Sequence, residues 1–356
     1  MKIASRVRKV MERVVKPANM DAACVHVINN QGCPGLDRMT VEQLEAWYCR
    51  NRVRLLTGLL AGKFVPYPLL GVQIPKTTGG FRHLGIPTVK DRLVQQAMAQ
   101  VLRPILEPLF SDSSFAYRPG KGAHRALFQA REHVKSGLPY VVDIDIERFF
   151  DNVDHDILNA LLVRQMADRR FLRLVDTFLI AGVVRQGVYI ETRTGLPQGG
   201  PLSPVLSNLV LDMLDKWLEG QGHKFCRYAD DCNIYVASRE EGEGLMAQVA
   251  DFLQQSLGLS INEKKSGVDR ACNRKFLGYR LAAGGVLQVA PESLEVFKRN
   301  LLSLTQGQSG QAFAAMLVRV GKYMNHWLAY FKHGCNQATY RQIEEWVRLA
   351  LQGQLA

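Results

Sequence analysis

Residues 224–236 read KFCRYADDCNIYV. Two runs rich in aromatic and β-branched residues, Phe225–Tyr228 and Asn233–Val236, flank Ala229-Asp230-Asp231, the pattern of a hairpin with two carboxylates at its turn. Neighbouring side chains on a regular strand point to opposite faces, so adjacent aspartates can serve one site only where the backbone turns. Carboxylates held together repel, and a hard divalent cation, Mg²⁺ or Mn²⁺, resolves the repulsion of an ionised pair. Taken alone, the stretch also reads as an ordinary Asp-rich turn.

A second acid-bearing segment favours the metal reading. Tyr140-Val141-Val142-Asp143-Ile144-Asp145-Ile146 is a nearly continuous apolar strand with two acids on one face. Such acids are costly to bury unless a metal or another cation compensates them. Further upstream, residues 70–76 and 81–86 read as strand, glycine turn, strand, with Lys76 and Arg82 on either side of the turn. This hairpin can close two cations on a triphosphate, or simply carry solubilising charge. Between these acid segments, Pro197-Gln198-Gly199-Gly200-Pro201-Leu202-Ser203-Pro204 predicts a turn and then a helix with Ser203 as its cap. Helices are expected across residues 1–60 with a break at 29–35, over 91–110, from about 123, and over 240–257. Residues 276–281 read as a strand. From about residue 291 the pattern is all-helical, and Phe313, Leu317, Val320, Met324, Trp327 and Phe331 mark an amphipathic stripe.

The bulk composition narrows the partners. With 47% apolar and 22% charged residues, the 356-residue chain has the make-up of a globular protein large enough for two or three domains. Its net charge of +12 favours a polyanion, nucleic acid before membrane, since no apolar run approaches the roughly 18 residues of a span. The basic N-terminus lacks the apolar core of a signal peptide, which leads to the expectation of a cytoplasmic protein. Seven cysteines without a C-x-x-C pair argue against a disulfide framework or a zinc knuckle.

Placed side by side, Asp145, Asp230 and Asp231 would hold two metals about 3.5–4 Å apart, the arrangement that stabilises both oxygens of an in-line phosphoryl displacement. Lys76 and Arg82 would neutralise a triphosphate from the opposite side. Lys265 is a candidate general acid for pyrophosphate, against the alternative of a solvated lysine pair with Lys264.

The ordered segments resemble a reverse transcriptase of the group II intron maturase type. They are GLDRMT (35–40), IPKTTGGFRHLGIPTVKDR (74–92), FAYRPGKGAHRAL (115–127), DIERFFDNVDHD (145–156), GLPQGGPLSP (195–204), YADD (228–231), NEKKS (262–266) and FLGYRL (276–281). The resemblance spans roughly residues 25–335. It implies an α+β right-hand polymerase with fingers, a palm carrying an antiparallel sheet and an all-helical thumb. The expected division is a basic helical extension over 1–65, fingers over 66–136, palm over 137–288 and a maturase-like thumb over 289–356. The resemblance makes Asp145, Asp230 and Asp231 the catalytic, metal-binding carboxylates, and Asp143 a non-ligating acid. Phe150 becomes the ring against the incoming sugar, which leaves no room for a 2′-hydroxyl, while Phe149 is core. Gln198 helps define the nucleotide pocket, Lys76 and Arg82 are the finger cations, and Arg118 supports the template or the fingers. Asn325 to Phe331 resembles the thumb block, with His326 in place of its glycine.

The expected activity is RNA-directed DNA polymerisation. It would extend a DNA or RNA primer on an RNA template with dNTPs and two Mg²⁺ ions, with Mn²⁺ as a substitute. A cognate group II intron RNA is a further expected partner, and a membrane is not. No stretch of the sequence resembles the DNA-binding and His-Asn-His endonuclease regions of many intron enzymes. The alternatives are a maturase acting as a splicing cofactor, or a domesticated reverse transcriptase in host defence or repair.

Overall fold

The computed structural model describes residues 7–75, 80–305 and 312–353. Three helices come first: α1 (Val10–Val14), α2 (Pro17–Asn29) and α3 (Leu44–Leu60). A reciprocal capping box between Thr40 and Gln43 opens the third by way of a short 3₁₀ turn. The strand pair follows as β1 (Leu69–Pro75) and β2 (Phe81–Ile86), and then α4 (Val89–Leu106), whose Thr88 hydroxyl accepts the Asp91 N–H. Next in order are α5 (Ala123–Lys135), β3 (Tyr140–Asp145), the single turn α6 (Phe149–Asn152), α7 (His155–Gln165) and α8 (Arg169–Leu179). A small hairpin, β4 (Val183–Arg185) and β5 (Val188–Ile190), precedes α9 (Ser203–Gly220). The acid hairpin is β6 (Lys224–Tyr228) and β7 (Asp231–Val236), followed by α10 (Arg239–Leu257) and β8 (Gly267–Arg270). The chain continues through β9 (Tyr279–Ala282), β10 (Val286–Val289), α11 (Pro291–Thr305), α12 (Ala312–Phe331) and α13 (Gln337–Leu351).

Two four-stranded sheets carry the architecture. One is antiparallel in the order β6-β7-β3-β8; the other runs β2-β1-β4-β5, with β1 and β4 parallel. The antiparallel sheet is covered on both faces, and the sequence alternation explains how. Phe225, Cys232, Ile234, Val142 and Ile144 point into the larger apolar cluster beneath the sheet, with α4, α7, α9 and α10. Val141, Cys226 and Tyr235 point the other way, into a second cluster. That cluster also takes in Leu127 of α5, Leu287 and Val289 of β10, and Phe297, Leu301, Trp327 and Phe331 of the C-terminal helices. Phe297 sits at its centre, stacked near Tyr323 and Trp346 and 4.7 Å from the Trp327 ring. The C-terminal helices therefore share one core with the face of the sheet that carries Asp143, Asp145 and Asp231.

Several local readings need correction. Ser203 does not cap α9: its hydroxyl donates to the Pro197 carbonyl at 2.6 Å, fastening the preceding turn instead. The expected strand over 276–281 is split, because Leu277 and Gly278 adopt φ of 51° and 84° and form a tight turn, with Phe276 and Tyr279 paired across it. The stripe on α12 is shifted as well. Met316, Val320, Trp327 and Phe331 are buried, whereas Phe313 and Leu317 are exposed, because the inward line near the helix start passes one residue earlier.

Candidate active site

The hairpin turns on two residues, Ala229 and Asp230, with Tyr228 paired to Asp231 across the end of the ladder. Ala229 takes a φ of 59°, a region that side chains with a Cβ rarely visit. The turn is held there by the residue two positions back. Arg227 is fully buried, and its guanidinium reaches four partners. Nε and Nη2 donate to the two Asp215 oxygens at 2.7 and 2.6 Å, and Nη1 donates to Asn208 Oδ1 at 3.1 Å and to the Ala229 carbonyl at 2.9 Å. Nη2 also donates to Ser114 Oγ at 2.8 Å. Asp215 and Asn208 both stand on α9, and Ser114 belongs to the loop before α5. This is a buried ion pair with its donors saturated, the condition under which such a pair is tolerated.

The strand acid comes from the neighbouring strand in register. Asp145 of β3 lies opposite Asp231 of β7, and Asp143 lies opposite Asn233. Directly paired residues share a face, so Asp143, Asp145 and Asp231 form one acidic row, with Asp230 at the turn beside it. A loop between α10 and β8 clamps the end of β3. The Asn262 N–H donates to the Asp145 carbonyl at 2.7 Å, and the Asp145 N–H donates to Ser266 Oγ at 3.0 Å. Lys265 of the same loop places its Nζ 2.9 and 3.1 Å from the two Asp145 oxygens. Asp143 faces Arg274 at 3.7 Å.

Crowding shifts these acids upward. Burial, reinforced by Asp143, Asp230 and Asp145, pushes the Asp231 carboxyl up to about 8. Burial also raises Asp143 to about 6, against the pull of Arg274. Asp230 is raised by burial and by the nearby Asp145. Among the described residues, no three histidine, cysteine, aspartate or glutamate side chains are gathered closely enough to hold a metal ion. The donors nonetheless suit a hard divalent cation. They are carboxylate oxygens, their mutual repulsion is relieved by positive charge, and a lysine ammonium already lies on Asp145.

Asp145 and Asp230 open on a cavity of about 750 Å³, together with Arg82, Phe150, Gln198 and Lys265. Asp231 is outside its lining, in the row behind. Lys76 lies outside the described residues. Phe149 and Phe150 both border the cavity, but Phe149 is buried in the core whereas Phe150 is half-buried. The position of Phe150 is fixed from the other side of the cleft. Its carbonyl accepts the Leu196 N–H at 2.6 Å, and Gly195, at φ 92°, passes so close that a Cβ there would stand 2.7 Å from that carbonyl oxygen. Two residues on, the Gln198 carbonyl accepts the Gly85 N–H of β2 at 2.9 Å. The LPQGG segment thus straps the β2 edge to the turn carrying Phe150. Arg118 plays a structural part: it is buried, bonded to Glu107 at 2.9 Å and to the Ser111 and Ser114 carbonyls.

Sequence reasoning missed the Arg227–Asp215 pair, the clamp formed by Asn262 and Ser266, and the cavity-lining Arg148 and Arg185. One signal was available. Arg227 has the same parity as the core-facing Phe225, and a charge at such a position needs a buried partner.

A covered antiparallel sheet with its acids at one end, facing a second sheet across a cleft, is the framework of a right-hand polymerase. Residues 74–281 match the reverse transcriptase (RNA-dependent DNA polymerase) family and residues 294–355 match the group II intron maturase-specific domain; the chain belongs to the reverse transcriptase family. It is 37% identical over 316 residues to the group II intron-encoded protein LtrA of Lactococcus lactis subsp. cremoris, covering 70% of this chain and 52% of that protein. It is 28% identical over 317 residues to protein YkfC of Escherichia coli (strain K12), covering 78% and 83%. The chain thus spans about half the length of the intron-encoded relative. In fold it is similar to telomerase from Candida albicans, solved in complex with a fragment of telomeric RNA, with a TM-score of 0.50, 12% identity, and coverage of 83% of this chain and 62% of that one. No helix among the described residues is long and apolar enough to cross a membrane.

Two expectations follow from the geometry. Asp215→Ala leaves the Arg227 guanidinium buried without its counter-charge, and the unfolding free energy, read from denaturant titration, drops by about 3–5 kcal/mol. A loss below about 1 kcal/mol is incompatible with this buried pair. The second concerns pH. A carboxyl raised by folding binds more protons folded than unfolded between its unfolded value, about 4, and its folded one, so stability falls as pH rises through that window. Metal-free protein therefore melts at a lower temperature at pH 8 than at pH 6, and Asp231→Asn flattens this slope. An unchanged slope in Asp231→Asn removes Asp231 as its source.

Proposed function

We propose that this chain is an RNA-directed DNA polymerase that extends a DNA or RNA primer with dNTPs on an RNA template. The observation that carries the proposal is the common cavity of Asp145, Asp230, Phe150, Gln198, Arg82 and Lys265 in a chain of the reverse transcriptase family. In this reading Asp145 and Asp230 hold divalent ions, with Asp231 supporting them from the row behind. When bound, two Mg²⁺ ions supply activation of the attacking 3′-hydroxyl and charge neutralisation on the leaving pyrophosphate. Phe150, held by its carbonyl bond to Leu196, packs where a ribose 2′-hydroxyl would project and so selects deoxynucleotides. Gln198 borders the same pocket, and Arg82 together with Lys76 meets the triphosphate. Lys265 starts as the partner of Asp145 and is free to carry a proton toward the departing pyrophosphate once Asp145 is otherwise compensated. Residues 66–136, 137–288 and 289–356 are read as fingers, palm and thumb, after an N-terminal extension over 1–65.

The match of residues 294–355 to the maturase-specific domain favours a second role, in binding and splicing a cognate group II intron RNA. This role does not use the carboxylates. Asp230→Ala is therefore expected to lower primer extension on an RNA template by at least about 10²-fold, the scale of losing a group that acts on the reacting charge, while splicing of the cognate intron continues. Full extension by Asp230→Ala would sink the assigned site, and parallel loss of splicing would sink the separation of roles. For Phe150→Ala, competition between dNTPs and rNTPs is expected to show increased ribonucleotide incorporation. Unaltered sugar discrimination removes Phe150 as the selector.

A further inference from the structure

Phe150 stands on α6, a single turn of four residues that opens at Arg148 in the left-handed region, at φ 45°. A helix that short does not hold itself, so the direction of the ring depends on what the turn is tied to. On one side Phe149 anchors the turn in the core, edge-on to Phe150 with ring centroids 5.3 Å apart. On the other side lies the strap at 194–196. The Thr194 hydroxyl donates to the Asp151 carbonyl at 3.2 Å, and the Gly195 N–H donates to the Val153 carbonyl at 2.8 Å. The Leu196 N–H, on the Phe150 carbonyl itself, completes the backbone set.

A histidine closes the ring of contacts. His155 is the first residue of α7, and its backbone is fixed there because the Asp154 carboxylate accepts the Asp156 and Ile157 N–H groups at 2.7 and 3.0 Å. From that position the imidazole reaches across to the strap, with Nε2 2.8 Å from the Gly195 carbonyl oxygen. A carbonyl only accepts, so Nε2 carries the proton and donates. Gly195 is buried and pressed against the turn, since a Cβ there would stand 2.7 and 2.8 Å from the Phe150 and Asp151 carbonyl oxygens. Without the imidazole its carbonyl is left unpaired in a buried place, a cost that the strap relieves by shifting. The bond from the next residue, Leu196, hands that shift to Phe150.

We propose that His155 is a positioning residue for sugar selection: by holding the Gly195 carbonyl it sets where the Phe150 ring stands against the incoming sugar. The inference rests on the polymerase reading and on Phe150 as the selector, and it adds a residue outside the lining of the cavity. Exclusion of a 2′-hydroxyl is a contact between hard atoms, so a small displacement of the ring is enough to admit it. The carboxylates are held separately, by the clamp on β3 and by Arg227 beneath the hairpin turn. Loss of the His155 bond therefore alters the choice of sugar more than the rate with the correct one. A histidine that merely starts α7 would instead lower stability and slow both nucleotides alike.

Single-nucleotide extension of a primer on an RNA template by the full chain tests this, with kcat/KM measured for a dNTP and for the matching rNTP. The readout is the ratio of the two. His155→Phe keeps a ring and removes the donor, and His155→Ala removes both; each should lower the ratio about fivefold, a partial misplacement of the selector. Phe150→Ala, which removes the selecting ring itself, should lower it further. His155→Gln places an amide N–H near the position of Nε2 and should keep the ratio within about twofold of wild type. In the double variant, His155→Phe should add nothing to Phe150→Ala, because it acts through that ring. The proposal is overturned if His155→Phe and His155→Ala keep the wild-type ratio, or if dNTP and rNTP extension fall by the same factor. It is also overturned if His155→Gln is as unselective as His155→Phe, or if the two losses multiply in the double variant. A wild type that does not extend the primer defeats the polymerase reading, and an unchanged ratio in Phe150→Ala defeats the selector. A lowered ratio in Phe150→Ala beside an unchanged one in His155→Phe and His155→Ala defeats this inference alone.

Discussion

The interaction on which the site depends is buried beneath it. Arg227 sends no atom to the cavity, yet it joins α9, the loop before α5 and the carbonyl of Ala229 through one guanidinium. Each of those attachments restrains a different element, and the turn that carries Asp230 is the element with least freedom of its own. A two-residue turn with Ala229 at positive φ is disfavoured in isolation. It persists because its carbonyl is drawn down toward a charge that has nowhere else to go. A cation that must be satisfied internally is a demanding device for positioning backbone, because any slackening of the turn leaves a polar group unpaired in the core.

The cleft is built from two such over-determined pieces. On the sheet side, β3 is fixed at its end by Asn262 and Ser266, which bond the backbone of Asp145 rather than its carboxylate. The carboxylate is thereby left to Lys265. On the opposite side, the LPQGG segment ties Gly85 of β2 to the turn after β3. Glycines are required at two points of that strap. Gly195 passes against the Phe150 carbonyl, and Gly199, at φ 131°, passes against the Gly85 carbonyl. The relation between the two sheets is consequently set by backbone hydrogen bonds, while the side chains lining the cavity stay available for ligands.

Much of this was legible in the sequence, because the decisive segments are short and locally determined. The acid hairpin, the apolar strand around Asp145 and the turn-rich segment before α9 each announce themselves through period-two alternation or turn chemistry, and the structure brings Asp145, Asp230, Phe150, Gln198, Arg82 and Lys265 to one cavity. What escaped was set by tertiary context. The partner of Arg227 lies on a helix whose apolar pattern gives no hint of a buried Asp215. The four-residue strands β8 and β10 are too short to show periodicity. Leu277 adopts a left-handed conformation that no propensity of leucine suggests. For α8 the signal was present, in the spacing of Phe171, Leu174, Val175 and Phe178, all buried. It lay between two louder motifs.

The second apolar cluster bears on how the chain is made. The ribosome delivers all four strands of the antiparallel sheet by Arg270, and α5 is already made to cover part of its far face, but the cluster on that face is completed only when Phe297, Leu301, Trp327 and Phe331 are added. For the time taken to synthesise some sixty more residues, a few seconds or more at typical translation rates, Tyr279, which packs on Phe331 and Tyr330, and its neighbours in that cluster are left partly uncovered. The nascent chain therefore passes through an interval in which its hinge of acids is assembled while its outer face is adhesive. The last helices act as the lid that ends this exposure, so early termination of translation yields a sticky fragment and not a smaller enzyme.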